Sequence, residues 1–266
     1  MLWIGGASGS GKTTVAWRLA RRHGLRLYSA DTRTWDHRDR ALRAGSEAAH
    51  RWDSLTVDER WNAPAEELMA MSLHHERGPM VVEDLLALPA SPLVVAEGTT
   101  LPPPAVTDGI VERSRVVWLL PSPEFFDAQV ARRGLAPGPA TLYRALAAEI
   151  ERDAVAHGVP VLRVDGSAGV AELIDAVERR FADHLAAGPR AAEAAERGQL
   201  LREANEAIVH QVRGYHARPW ASGDPDAVVK TFACECGDTA CEEDVTHTVA
   251  DAAAGPVLAP GHGPPR

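Results

Sequence analysis

The first chemistry legible in this chain is phosphate binding. Residues 6–13 read Gly6-Ala7-Ser8-Gly9-Ser10-Gly11-Lys12-Thr13, a full match to the pattern G-x-x-x-x-G-K-[ST]. Glycines let the backbone curl so that successive N–H groups point inward at phosphate oxygens. A helix starting from the loop adds its positive end to the same point. Lys12 is then expected to reach the β- and γ-phosphates, the Thr13 hydroxyl to ligate Mg²⁺, and Thr14 to join the loop in binding the nucleotide. Lys12 and Lys230 are the only lysines among 28 basic residues, so a lysine where the pattern needs one is hard to ascribe to composition. Three acids, Asp31, Glu97 and Asp165, each close a short apolar run. Near the C-terminus Cys234, Cys236 and Cys241 are followed by His247 and His262.

The elements that must hold these residues follow from hydrophobic periodicity. Apolar runs at 2–6, 25–30, 92–96, 115–120 and 160–164 read as strands. Helical spacing covers 13–23, 123–133, 141–157 and 169–186. A charged, tryptophan-rich stretch at 36–77 also reads as helical, with Pro64 as a breaker. Strands alternating with helices predict an α/β three-layer sandwich around a five-stranded parallel sheet. Ligands in such sheets bind beyond the carboxyl ends of the strands, where the glycine loop, Asp31, Glu97 and Asp165 all fall. The expected units are a nucleotide-binding domain at 1–188, a connecting helix at 189–218 and a small Cys-rich module at 219–266.

The stretch LWIGGASGSGKTTVAWRLA resembles the opening of the small P-loop kinases, which act on nucleosides, nucleotides and small metabolites. The resemblance covers roughly residues 1–186 and implies the strand order 2-3-1-4-5. It implies ATP and Mg²⁺, and no N/T-K-x-D guanine-reading motif occurs here. It implies that Asp31 is the base that takes the proton of an attacking hydroxyl. A cap on the following helix is the competing reading. Glu97 followed by glycine is similar to uridine-kinase-like enzymes, which implies a part in metal or substrate binding. The usual strand-end aspartate is absent, and a carboxylate capping a turn is the other reading. Arg132 and Arg133, with Arg144 as a further candidate, stand where such kinases carry lid arginines. Guanidinium groups there would offset charge on the transferring phosphoryl group. Asp165-Gly166-Ser167 resembles the adenine-side loop of shikimate- and adenylate-kinase-like folds. The acceptor pocket is expected from 33–77, through Arg33, Trp35, His37, Arg38, Arg40, Trp52 and Trp61. Arginines suit an anionic acceptor and tryptophans a planar one; a helical cover with buried tryptophans and solvated arginines is the alternative.

Three cysteines within eight residues do not make a disulfide framework; they read as metal or redox chemistry. Cys₃His supplies the four ligands of a structural zinc site. The closing phrase VLAPGH resembles short bacterial Cys-rich modules and implies His262 as the fourth ligand, with His247 as the alternative. Free thiols remain the other reading. A formal net charge of -9 argues against a global nucleic-acid-binding field. No run is apolar enough to span a bilayer. Met1 leads almost directly into the first strand, which predicts no signal peptide and a cytoplasmic protein. Two functions compete. One is a phosphotransferase on an unknown small hydroxyl-bearing molecule. The other is a nucleotide-dependent regulatory ATPase whose Cys module contacts a protein or nucleic-acid partner.

Overall fold

The computed structural model describes residues 1–265. Strand β1 (Leu2–Gly6) runs into the glycine loop and helix α1 (Lys12–His23), followed by β2 (Arg26–Ser29) and a 3-10 turn, Ala30–Arg33. Five short helices cover the next stretch: α2 (Thr34–Arg43), α3 (Glu47–Ser54), α4 (Val57–Trp61), α5 (Ala65–Met71) and α6 (His74–Ala87). Pro64, expected as a breaker, stands at the N-cap of α5. Then come β3 (Val94–Gly98), α7 (Pro104–Thr107), β4 (Val116–Pro121), α8 (Pro123–Arg132), α9 (Pro137–Ala156), β5 (Val161–Val164) and α10 (Val170–Ala187). Helix α9 starts about four residues before its predicted bound. Pro137 occupies its first turn, where a fixed φ and a missing N–H fit a helix start.

The strands form one parallel sheet in the order β2-β3-β1-β4-β5, as the P-loop resemblance implies. Alternate side chains serve opposite faces. Leu2, Ile4, Val117 and Leu119 pack against Val15 and Leu19 of α1 and Val177 and Phe181 of α10. Trp3, Val116, Trp118 and Leu120 face the other way, toward Leu146 and Ile150 of α9. Burying both faces explains why these strands read as continuous apolar runs rather than alternating ones.

The chain continues through α11 (Ala194–His216) into an antiparallel hairpin, β6 (Val229–Ala233) and β7 (Asp244–Thr248), and a short α12 (Val249–Ala254). Helix α11 packs along β2, the edge strand of the sheet, and also against β6 and α12. On the hairpin side, Val209 and Val212 join Phe232, Val249 and Val257 in a small core of their own. Asn205, 1% exposed, clamps β6 by donating to Ala233 O at 2.9 Å and accepting from Ala233 N at 3.0 Å. No helix among the described residues is long and apolar enough to cross a membrane.

Candidate active site

The phosphate loop lies between β1 and α1 with a backbone that only glycine tolerates. Gly6 has φ 129°, and a Cβ there would sit 2.1 Å from Leu119 O, so neither the conformation nor the space admits a side chain. Gly11, φ 88°, is the residue from which α1 starts. Ser10 Oγ donates to Ala7 O at 2.8 Å and holds the curl from within. Lys12 is 4% exposed, and its Nζ donates to Ala7 O at 3.3 Å, folded back over the loop it is suited to serve. The first turn of α1 turns Thr13 Oγ1 onto Glu97 Oε2 at 3.0 Å. Thr14 is exposed beside it.

Glu97 ends β3 fully buried, at 1% exposure, and also accepts from the Ser29 hydroxyl at the end of β2. Burial pushes its carboxyl above the ordinary range, and the charge of Asp31 pushes the same way; Lys12 and the two hydroxyls oppose this without prevailing. A buried, hydroxyl-ringed carboxylate one residue from the strand end, next to a P-loop threonine, is the oxygen-donor chemistry a hard divalent cation uses. Thr13 and Glu97 therefore fit the magnesium role.

Asp31 is exposed in the 3-10 turn after β2. Its carboxylate accepts from Thr99 Oγ1 at 3.3 Å and caps no helix; α2 starts at Thr34 after Arg33 with no side-chain cap bond. The turn is pinned from below by residues outside the reach of motif reading. Arg77 of α6 donates to Ala30 O at 2.6 Å and to His37 Nδ1 at 3.3 Å. His37 Nε2 meets Asp84 at 2.8 Å, and Tyr28 OH donates to the same carboxylate at 2.9 Å. Burial lowers the His37 pKa, so a neutral imidazole bridges Arg77 to Asp84. The only sequence signal for this network was a run of polar residues in a segment that had to be partly buried.

A cavity of about 410 Å³ opens between the loop and helices α2–α6. Ser8 and Asp31 stand at its phosphate end; Trp35, Arg38, Trp52 and Trp61 form its walls. Four of the seven residues expected for the acceptor pocket are thus brought together. His37 and Arg40 turn instead to Asp84, and Arg33 pairs with Asp36 at 3.5 Å. Tyr143 of α9, Gln211 and Tyr215 of α11, and Trp220 complete the lining. The last three belong to the segment that reads in sequence as connector and linker. A smaller cleft of about 220 Å³ joins Thr13, Ser29, Asp31 and Glu97 to Ala204, Ala207 and Ile208 of α11.

Arg132 and Arg133 are exposed at the end of α8. That helix approaches the loop: a Cβ on Gly9 would lie 3.3 Å from Gln129 Cβ, and Arg132 donates to Gln129 Oε1 at 2.6 Å. Arg144 is tied to Asp127 at 3.0 Å on the outer surface, where an exposed pair contributes little. Asp165 accepts from Ser167 N at 2.9 Å, a tight turn on the other flank of the loop, where Leu173 of α10 lies 3.2 Å from a Cβ on Gly11.

The cysteines converge as the spacing suggests. Ligand atoms of Cys234, Cys236, Cys241 and His262 all lie within 4.8 Å of one another. His262 Nδ1 is 3.4 Å from Cys234 Sγ and 3.6 Å from Cys241 Sγ. A tetrahedron with zinc bond lengths has sulfur–nitrogen edges of about 3.6 Å, so the donor set fits that ion. His247 lies on β7 opposite Lys230 and outside this group. Burial raises both buried thiols. At Cys234 this is outweighed by the N–H groups of Ala259 and Cys236 and by His262, leaving it below the ordinary value. Cys241 is pushed up to about 12 by burial, with neighbouring sulfurs acting in the same direction.

The sheet order β2-β3-β1-β4-β5 and the 6–13 loop between β1 and α1 make this a P-loop α/β fold. No family model matches the chain, and no curated protein does. Among solved structures, the shikimate kinase from Acinetobacter baumannii in complex with shikimate is 19% identical, covering 68% of this chain and 92% of its own, at a TM-score of 0.41. The deoxyadenosine kinase from M. mycoides with bound dATP is 12% identical over 68% of this chain and 100% of its own, TM-score 0.38. The shikimate kinase from Aquifex aeolicus is 15% identical over 70% and 98%, TM-score 0.34. These are distant likenesses, and the substrates of those proteins carry no information about the acceptor of this one.

Proposed function

We propose that the chain is an ATP-dependent phosphotransferase acting on a small hydroxyl-bearing molecule. The observation that carries this reading is the position of Asp31: an exposed carboxylate that lines both the large cavity and the cleft holding Thr13 and Glu97. A hydroxyl in the cavity can thus meet a base and a phosphoryl group at one point.

The backbone N–H groups of the loop hold the phosphates, and Lys12, released from Ala7 O, takes the charge on the β and γ oxygens. Thr13 and Glu97 would hold magnesium, which when bound neutralises charge on the transferring group. Asp31 accepts the proton of the acceptor hydroxyl as its oxygen bonds to the γ phosphorus and the bond to the β-bridging oxygen breaks. Arg132 or Arg133, at the end of a helix already against the loop, supplies a mobile positive charge for the equatorial oxygens. The Cys₃His group reads as one structural zinc site, since four protein ligands leave no open position. In this reading it holds β6, β7 and the tail against α11.

ADP release from the purified protein, with and without a pool of small hydroxyl-bearing metabolites, tests the reading. Strong stimulation by the pool is the expected result. Slow turnover indifferent to every acceptor would instead mean a regulatory ATPase, with the C-terminal segment as a contact for a protein partner.

A further inference from the structure

Three buried guanidinium groups stand at the acceptor cavity with no carboxylate within ion-pair distance among the described residues. Arg38 is 3% exposed, Arg60 1% and Arg77 6%, and all three line the cavity. Arg38 Nη2 donates to Met71 O at 2.7 Å; Arg60 donates to Trp52 O and Leu55 O at 2.8 and 3.0 Å; Arg77 goes to Ala30 O and His37. The nearby acids are engaged elsewhere. Asp84 takes His37, Arg40 and Tyr28; Asp53 takes Trp220 Nε1 at 3.2 Å; Asp31 takes Thr99. Of the titratable groups facing Arg38 and Arg60 from the surrounding helices, Asp53 alone is negative. Burial pulls the Arg38 guanidinium down to about 10 and the His74 imidazole to about 4, so near neutral pH Arg38 is cationic and His74 is not. The lining therefore carries three positive charges against the one of Asp31.

The unpartnered polar atoms point to the same place. Ten buried side-chain N and O atoms among the described residues have no hydrogen-bond partner, and six of them belong to residues that line this cavity: Arg38 Nε and Nη1, Trp52 Nε1, His74 Nδ1, Thr100 Oγ1 and Gln211 Oε1. Folded chains pair the great majority of such groups, so their concentration in one cavity marks a binding wall. The wall is aromatic as well. Arg60 lies between the rings of Trp52 and Trp220, 4.4 and 4.2 Å from their centroids, and Arg38 lies 4.8 Å from that of Trp52. Such a layer presents flat surfaces and positive charge together.

Resting on the phosphotransferase reading, we propose that the acceptor is a planar, hydroxyl-bearing anion. Its carboxylate or phosphate faces Arg38, its flat body lies on the tryptophan wall, and its hydroxyl reaches Asp31. The appended segment shapes the pocket, because Gln211 and Trp220 line it, Trp220 packed on Arg60 of α4 and bonded to Asp53 of α3. They are specificity residues and take no part in the transfer step.

Three probes test this by calorimetry on the full chain with Mg·ADP present: 4-(hydroxymethyl)benzoate, 4-(hydroxymethyl)phenyl phosphate and the neutral 4-(hydroxymethyl)benzamide. At least one anion should bind about tenfold or more tightly than the amide, the usual weight of a charge-assisted contact; whichever anion wins identifies the anionic group. In Arg38→Met, checked for folding by thermal denaturation, the preference should fall below about twofold. Trp220→Ala, at a half-buried position, should weaken all three probes together by about fivefold, the scale of one aromatic contact, and keep the anion preference; it serves alone if Arg38→Met does not fold. Equal affinity for acid and amide, no binding of any probe, a preference that survives Arg38→Met, or affinities unmoved by Trp220→Ala would each overturn the proposal. ATP binding measured on the same wild-type sample separates the two readings: normal ATP affinity without an anion preference sinks the acceptor class alone, whereas absent ATP binding sinks the phosphotransferase reading itself.

Discussion

Glu97→Gln should make the nucleotide-free protein more stable and its Mg·ATP complex weaker. Glu97 is 1% exposed, and its carboxylate is met by the hydroxyls of Thr13, at 3.0 Å, and Ser29. Burial first and Asp31 second hold its folded-state pKa above the ordinary 4.5. The native chain then binds more protons than the unfolded chain between 4.5 and that raised value, so stability falls as pH climbs through the window. Removing a carboxylate from water costs several kcal/mol, and two hydroxyl contacts to a charge return about 1.5–3 kcal/mol each. Lys12 adds to that return, yet the raised pKa shows that a net burden on the charged form remains, on the order of 1 kcal/mol at neutral pH. Glutamine sheds that burden and keeps both contacts, since the hydroxyls can turn to accept. For a chain of this size the gain is about 2–4 °C in Tm. Thermal denaturation in chelator should show it at pH 8 and show it shrinking toward pH 5. Saturating Mg·ATP should stabilise the wild type; at a hundredfold excess over Kd the gain is about 2.7 kcal/mol, and a tenfold loss of affinity halves it. A variant less stable than wild type without nucleotide would refute the burial argument, and one with an undiminished nucleotide gain would refute the metal role.

Three further substitutions examine the rest of the site. Lys12→Ala should leave the fold intact and remove most Mg·ATP binding; unchanged affinity by calorimetry would sink the loop assignment. Asp31→Asn should keep ATP binding and lower transfer by about 10²-fold or more, the scale of a positioned base; turnover within a few-fold of wild type would make it an anchor for substrate. Protein purified without chelator should carry about one zinc per chain by metal analysis, falling to near zero in Cys236→Ser, on the expectation that Cys₃His is a complete tetrahedral set; no metal in the wild type, with all three thiols reacting freely, would rule the site out.

The parts of the fold set by local pattern were legible in the chain. The 6–13 loop and the five apolar runs follow from spacing, the strand order was implied by the P-loop resemblance, and each is seen in place. The grouping of Cys234, Cys236 and Cys241 was also legible from three cysteines within eight residues, and His262 from the resemblance carried by VLAPGH. What spacing could not show is long-range. The network Arg77–His37–Asp84–Tyr28 joins β2 to two helices over gaps of 40 to 56 residues, and no member carries a motif. The stretch 219–225 reads as a linker from Pro219 and Pro225, yet Trp220 within it stacks on Arg60 and donates to Asp53. A single aromatic in a proline-flanked run gives no periodicity, so only packing reveals it.

The appended segment is docked on the core, and the charges at the two ends of the contact dictate one orientation. At one end Arg18, Arg21 and Arg22 of α1 meet Glu242 and Asp244 at the start of β7. At the other the polarity reverses: Asp36 and Asp39 of α2 meet His210 and Arg218, at 2.7 and 2.5 Å, and Asp53 receives Trp220. A reversed docking would set arginine on arginine and acid on acid. Exposed pairs add little stability singly, so their contribution here is register; adhesion comes from the apolar faces of α11. One of those faces, through Val209 and Val212, belongs to the hairpin core, while Ala204, Ala207 and Ile208 face Trp17 and Leu27. Helix α11 is thus a wall common to the cysteine hairpin and the catalytic cleft. Loosening the hairpin should therefore free α11 around Val209 and Val212 and disturb Gln211 in the acceptor cavity, while Trp220 stays tied to Asp53 and Arg60. The side-chain hydrogen bonds of the phosphate loop run to Ala7 and Glu97 within the sheet core and do not depend on α11. Loss of the Cys₃His ion should accordingly raise the acceptor KM before it touches the affinity for ATP.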